Sequence, residues 1–173
     1  ISKTYDGNTV AIVTTFKVKT TSLQNQSDVV TLTVVSATYD NKNAGTNKVV
    51  TITFSVSGTH ALNYDFVAGF TPSGSNYQMT HLGEIQARQL DVTKFSASPL
   101  TKVYDATTDA PNGFSISSNT SSGVVSGETV SVTISSASYN SSDVADANSI
   151  TATISISDTN YSLSSNTVTF DAT

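Results

Sequence analysis

The 173-residue chain has no cysteine, no tryptophan and three prolines, and only 12% of its residues are charged. Without cysteine there are no disulfides, no thiolate nucleophile and no thiolate metal ligand, while the redox compartment stays open. Small exported animal domains usually carry cysteine pairs and exported bacterial modules often lack them, so an extracellular bacterial setting is compatible. Basic residues are also few. Eight Lys and Arg stand against thirteen Asp and Glu, for a net charge of −5 and a pI near 4.6. That balance, with no basic stripe, argues against nucleic acid, which needs cations to displace counterions from phosphate, and against anionic membrane surfaces. No apolar run approaches the ~18 residues of a membrane span, so no membrane insertion is expected.

What fills the chain instead is Ser and Thr around an apolar fraction of 37%. Such a composition suits strands whose wet face is hydroxyl rather than charged, because β-branched and hydroxyl side chains sit well on a pleated surface. The length allows one ordinary domain or two small ones of roughly 85 to 90 residues. Beginning at Ile1 without Met and stopping at Thr173 in mid-pattern, the sequence is expected to be a piece of something longer.

An internal repeat favours two domains. "KTYDGNT" at 3–9 returns as "KVYDATT" at 102–108, and 27–58 runs parallel to 127–158. Val30, Leu32 and Val34 match Val130, Val132 and Ile134, and Tyr39 matches Tyr139. Val50, Ile52, Phe54 and Val56 match Ile150, Ala152, Ile154 and Ile156, and Asn63-Tyr64 matches Asn160-Tyr161. Within each copy, apolar and hydroxyl residues alternate with period two, the signature of strands with one buried face. Separators such as "DNKNAGTN" and "NSSDVADAN" are rich in residues that turn the chain. The expected fold is therefore all-β: two tandem small β-sandwich (Ig-like) domains, over 1–89 and 90–173.

The one helix candidate is "HLGEIQARQL", His81–Leu90. Gly83 weakens a short helix, and Ile85 with Ala87, then Leu90 with Val92, also alternate with a shift of face, so the stretch is assigned to strand. That shift marks the domain boundary.

The order K-x-Y-D-G/A-x-T, an acidic step into an alternating strand, "ATYDNKNAGTNKVVTI", Asn-Tyr, then "GEIQARQL" resembles the YDG-type tandem repeats of bacterial cell-surface adhesins and filamentous exported proteins. The resemblance covers nearly the whole chain, and Tyr39–Ile52 carries its most specific part. It implies a stalk or adhesive segment on the bacterial cell surface rather than an enzyme. The second copy departs from the pattern, with Ala106 in place of Gly7 and "YNSSDVADANSI" in place of "YDNKNAGTNKVV". Ala106 implies that a strictly Gly-only backbone is not essential at that turn.

Candidate chemistry is sparse. Tyr5 or Tyr104 would serve as an aromatic platform for a sugar, with Asp6 or Asp105 bonding its hydroxyls. Alternatively Asp starts a turn and Tyr packs across a strand end, and repetition at the start of each copy favours this architectural role. His60 and His81 lack further ligands at metal spacing, and "DNKNAG" has Lys42 and Ala44 where an EF-hand loop needs oxygen. Asp143 and Asp146 would either meet in space as calcium ligands or lie in a solvated turn, and the turn is favoured. A Lys–Asn isopeptide staple would have to come from Lys3, Lys17 or Lys19, in the first copy alone. No catalytic residue, cofactor or metal is expected.

The segment Val67–Thr80 is peculiar to the first copy, and Phe70, Tyr77 and Met79 around Pro72 and Gly74 suggest an aromatic tip, or a cap on the sandwich. Phe70 and Tyr77 are the candidate ligand-binding residues. The second copy's own insertion, 113–127, is expected to be a strand followed by a mobile loop. The expected function is the repeat region of an adhesin, serving as a stalk beside neighbouring repeats of the same chain, with host glycan or mucin as the ligand class. The alternatives are a carbohydrate-binding accessory module of a secreted polysaccharide-active enzyme, and a passive spacer.

Overall fold

The structure is a computed structural model that describes residues 1–19, 22–65, 71–73 (backbone alone) and 75–172. It is all-β, and its multiple small sheets fit a pair of β-sandwich domains. The chain forms two compact units, 1–86 and 87–173; the sequence expectation put the division after Gln89.

In the first unit, β1 (Ser2–Thr4), β2 (Thr31–Tyr39), β3 (Gly45–Ser57), β4 (Thr71–Ser73) and β5 (Asn76–Gln86) form one sheet in the order β1-β5-β3-β2, with β4 also on β5. All pairs are antiparallel except β1 with β5. Alternation in "KVVTITF" sends Lys48, Val50, Ile52 and Phe54 inward. Tyr5, Tyr39 and Ile85 are also buried, and Tyr39 pairs with Val50 across β2 and β3. Fully burying one such apolar side chain contributes roughly 1.5–3 kcal/mol, so this part of β3 anchors the unit. On the other face, hydroxyls bridge strands, as where Gln78 Nε2 donates to Thr53 Oγ1 at 3.1 Å.

A bulge between Val34 and Ser36 sets Val35 aside, 56% exposed, and rephases β2. Before it the inward residues are Leu32 and Val34; after it they are Ala37 and Tyr39. The extra residue is what lets Tyr39 face the core.

The second unit contains β6 (Arg88–Leu90), β7 (Ser96–Ser98), β8 (Ser115–Ser117), β9 (Val132–Tyr139), β10 (Ser149–Ile156), β11 (Tyr161–Leu163) and β12 (Thr167–Asp171). Its sheets are β12-β10-β9, β11-β6 and β7-β8. The bulge recurs between Thr153 and Ile154 of β10, opposite Ser135. Leu90, Ile150, Ala152 and Ile154 are buried. On the outer face Thr151 and Thr169 hydroxyls bond across the strands at 3.0 Å.

The stretch His81–Leu90 is strand, as alternation indicated, interrupted at Ala87: Ile85 is buried in the first unit and Leu90 in the second. The loop expected to be mobile after β8 is instead pinned. Thr120–Ser122 forms a 3-10 turn with an Asn119–Ser122 capping box, Ser122 and Val124 are buried, and Arg88 Nε donates to Gly123 O at 2.6 Å. Serine-rich sequence looks mobile because its hydroxyls suit water; here they are used on the loop's own backbone.

Candidate functional site

The lysine of each K-x-Y-D motif organises the turn that follows it. In the first unit Asp6 Oδ1 accepts from the Asn8 N–H at 3.2 Å, a tight Asx turn that runs through Gly7 at φ 80°. Lys3 Nζ donates to Asp6 Oδ1 at 2.7 Å, to the Asn8 carbonyl at 2.8 Å and to Asn8 Oδ1 at 2.9 Å. An ammonium has three donors, and all three are matched. It also lies 5.7 Å from the centre of the Tyr39 ring. Partial burial pushes the Asp6 carboxyl up, but the Lys3 and Asn8 hydrogen bonds outweigh it and hold the group below the usual carboxylate range.

The second unit repeats this arrangement with different parts. Lys102 Nζ donates to Asp105 Oδ1 at 2.8 Å, to Thr107 Oγ1 at 2.8 Å and to the Thr107 carbonyl at 3.1 Å, again 5.7 Å from a tyrosine ring, that of Tyr139. Asp105 Oδ1 accepts from Thr107 N–H and O–H at 3.0 and 2.9 Å. Those bonds, led by the one from Lys102, lower its pKa to about 2. Ala106 keeps the left-handed conformation of Gly7, with φ 63°.

A second polar clamp, not recognised in the sequence, links the Asn-Tyr pair to the acidic step before the first long strand. Tyr64 O–H donates to Asp28 Oδ2, and Tyr161 O–H to Glu128 Oε2, both at 2.7 Å. The signal was present, since both residue types recur at matching places in the two copies.

The two motif tyrosines differ. Tyr5 is 1% exposed and Tyr104 is 63% exposed. The architectural expectation of a tyrosine packed across a strand end describes Tyr5 and not Tyr104. Beside Tyr104, Asp105, Tyr139 and Val144 line a cleft of about 90 Å³. That is room for about three waters, and a more open hollow of about 330 Å³ adjoins it, lined by Tyr104, Ser142, Asp143 and Val144.

The other candidates fall as follows. Phe70 lies outside the described residues. Tyr77 belongs to strand β5 rather than a loop; it is half-buried and its ring stacks on that of Phe54, with centroids 5.9 Å apart. Met79 is in the same strand, opposite Ile52. His60 Nδ1 accepts from Val29 N–H at 3.0 Å and His81 contacts the Leu82 carbonyl, so each is engaged locally. The "DNKNAG" loop turns its oxygens on a lysine: Lys48 Nζ donates to Asn41 Oδ1 at 2.6 Å and pairs with Asp40 Oδ1 at 3.2 Å. Asp143 and Asp146 share one turn through their backbones. Among the described residues no group of three or more His, Asp or Glu is arranged to hold a metal ion, and no helix is long and apolar enough to cross a membrane.

For an isopeptide staple, Lys3, Asp6 and Asn8 do meet. However, an ionised carboxylate paired to an ammonium is the reverse of the neutral amine and protonated acid that such a bond requires. Lys17 and Lys19 are exposed.

The profile of the YDG domain matches residues 1–80 and again 86–168. The chain belongs to the YDG domain family. It carries two copies of that domain in tandem, and the lysine-pinned turn is the structural content of the YDG motif in each. No curated protein and no solved structure matches the chain significantly.

Proposed function

We propose that these tandem YDG domains are a non-catalytic repeat region of a bacterial cell-surface adhesin, working first as a stalk and exposed to the extracellular space. The observation that carries the reading is the twice-built lysine hub. Every donor of Lys3 and Lys102 is spent inside its own turn, which is what a joint needs and what a ligand site does not. Tandem units with self-contained joints let length change without redesign of the fold. Hydroxyl-rich outer faces with little charge keep the surface wet without attracting polyions.

Host glycan or mucin is the ligand class for this region, with the segment from Phe70 to Tyr77 as the contact. The test is retention of the full chain on immobilised mucin and a glycan array. Retention lost on Tyr77→Ser, with the fold intact by far-UV circular dichroism, supports adhesion through this segment. Absence of retention removes the adhesive part and leaves the stalk, which is checked by displaying one, two and four copies on cells and measuring the reach of a terminal epitope.

A further inference from the structure

Asparagine recurs in the turns of both units, and its side-chain amide is commonly engaged by the fold. Asn8 Oδ1 accepts from Lys3 Nζ at 2.9 Å and from the Val10 N–H at 2.8 Å. Asn119 Nδ2 donates to the Lys94 carbonyl and its Oδ1 accepts from the Ser122 N–H, both at 3.1 Å. Asn140 Nδ2 donates to the Asp146 carbonyl at 2.9 Å and to Asn148 Oδ1 at 3.1 Å. Each of these asparagines also precedes a residue with a side chain, Thr9, Thr120 or Ser141, which crowds the next peptide nitrogen.

Asn112 differs on both counts. It is the one asparagine in the sequence that precedes a glycine. Phe114 N–H donates to the Pro111 carbonyl at 3.0 Å, and Gly113 stands at φ 78°, the signature of a type II turn over 111–114. Pro111 is buried, whereas Asn112 and Gly113 are exposed. Neither the Asn112 side chain nor the Gly113 N–H has a hydrogen-bond partner among the described residues. A Cβ built on Gly113 would meet nothing within 4 Å, so no neighbour screens this peptide bond. The turn is peculiar to the second unit: the bridges Val10 to Thr38 and Asp109 to Ser138 correspond, which sets Val13 and Thr14 where Asn112 and Gly113 stand.

We propose that Asn112-Gly113 is a site of spontaneous modification by water, where the backbone passes through a cyclic succinimide to aspartyl and isoaspartyl forms. A base in solution removes the Gly113 amide proton, and the nitrogen attacks Asn112 Cγ. The new N–Cγ bond forms as the Cγ–Nδ2 bond breaks, and Nδ2 leaves as ammonia after taking a proton from water. One water then opens the five-membered ring at either carbonyl. Cleavage at Cγ leaves an aspartyl residue at position 112; cleavage at the main-chain carbonyl leaves the chain running through Cγ, with one extra methylene. No oxidant or reductant is involved. The fold directs the reaction to this turn. Asp6-Gly7 is the one Asp-Gly step in the sequence, but only a protonated carboxyl is open to such attack, and Lys3 with the Asn8 N–H holds Asp6 ionised.

The isoaspartyl form lengthens the main chain inside the turn, so the Phe114 N–H no longer reaches the Pro111 carbonyl. Phe114 packs against the buried cluster of Tyr139, Ile150 and Ala172, with its ring 6.3 Å from that of Phe170. Modification therefore adds a negative charge and loosens the start of β8 in the second unit alone. The inference stands apart from the stalk and adhesive readings.

The test ages the full chain in mildly alkaline buffer at physiological temperature, beside Asn112→Gln, and maps peptides by mass spectrometry. Position 112 is expected to gain about 1 Da, or about 3 Da in water labelled with the heavy oxygen isotope, before any other asparagine converts. Asn112→Gln is expected to stay unchanged there. Earlier conversion at another asparagine would overturn the proposal, as would an intact Asn112 in the folded chain while the urea-unfolded chain converts. In the isoaspartyl fraction, Phe114 N–H exchange should quicken by about five- to tenfold, the loss of one hydrogen bond, with Tyr39 N–H unchanged. Asn112→Asp carries the charge without the methylene and should leave Phe114 exchange as it was. Equal acceleration in Asn112→Asp, or none in the isoaspartyl fraction, would overturn the structural consequence. None of these readouts depends on mucin retention, so failure of the adhesive reading and failure of this one are separable.

Discussion

Replacing Ala106 with glycine tests whether the motif turn is limited by backbone handedness. Gly7 and Ala106 stand at φ 80° and 63° in turns with the same hydrogen bonds. An L-residue held there bears roughly 1–2 kcal/mol of strain. Glycine relieves it but loses more chain entropy on folding, which offsets roughly 0.4–1 kcal/mol. Ala106→Gly should therefore stabilise the second unit by about 0.5–1 kcal/mol, and Gly7→Ala should destabilise the first by a similar amount. Native-state hydrogen exchange reads the units separately. Tyr139 N–H, bonded to Thr108 O, reports on the second, and Tyr39 N–H, bonded to Thr9 O, on the first. Ala106→Gly should slow Tyr139 exchange by about two- to fivefold and leave Tyr39 unchanged. Faster Tyr139 exchange in Ala106→Gly, or slower Tyr39 exchange in Gly7→Ala, would refute the strain argument.

Phe54 is fully buried, with Phe16 at 5.0 Å and Tyr77 at 5.9 Å between ring centroids; Phe54→Ala should cost the first unit about 3–5 kcal/mol in urea unfolding. Because the folded pKa of Asp105 is lowered from 3.8 to about 2, its contribution is fully present above pH 3.8 and is lost as pH falls through 2. Asp105→Asn should flatten that acid limb for the second unit, seen as a smaller change in Tyr139 exchange between pH 4 and pH 2. Asp40 and Lys48 form an ion pair where the second unit bonds Asn140 Nδ2 to Asn148 Oδ1 at 3.1 Å. The double change Asp40→Asn with Lys48→Asn should accordingly destabilise the first unit less than Lys48→Asn alone, in a double-mutant cycle by thermal denaturation.

Phe70 and Tyr77 stand out in the sequence because they lie in a stretch peculiar to one copy, with Pro72 and Gly74 marking a turn. Tyr77 nevertheless falls in β5, which pairs with β4 on one side, setting Tyr77 opposite Pro72, and with β3 on the other, setting it opposite Phe54. Which ring stacks on Tyr77 depends on cross-strand register, and a local pattern does not contain it.

Period-two alternation and the doubled K-x-Y-D motif were enough to establish an all-β chain of two YDG copies, because strand faces and turn chemistry are set by neighbours in sequence. The lysine hub belongs to the same class, since Lys3, Asp6 and Asn8 are a few residues apart. The bulge at Val35, the Tyr64–Asp28 clamp and the opposite fates of Tyr5 and Tyr104 were decided only in three dimensions. Tyr5 lies beside a strand about eighty positions away, whereas among the described residues no strand pairs beside Tyr104. Two nearly identical local sequences thus end with one tyrosine in the core and one in water, because burial is a property of the partner strand as much as of the residue.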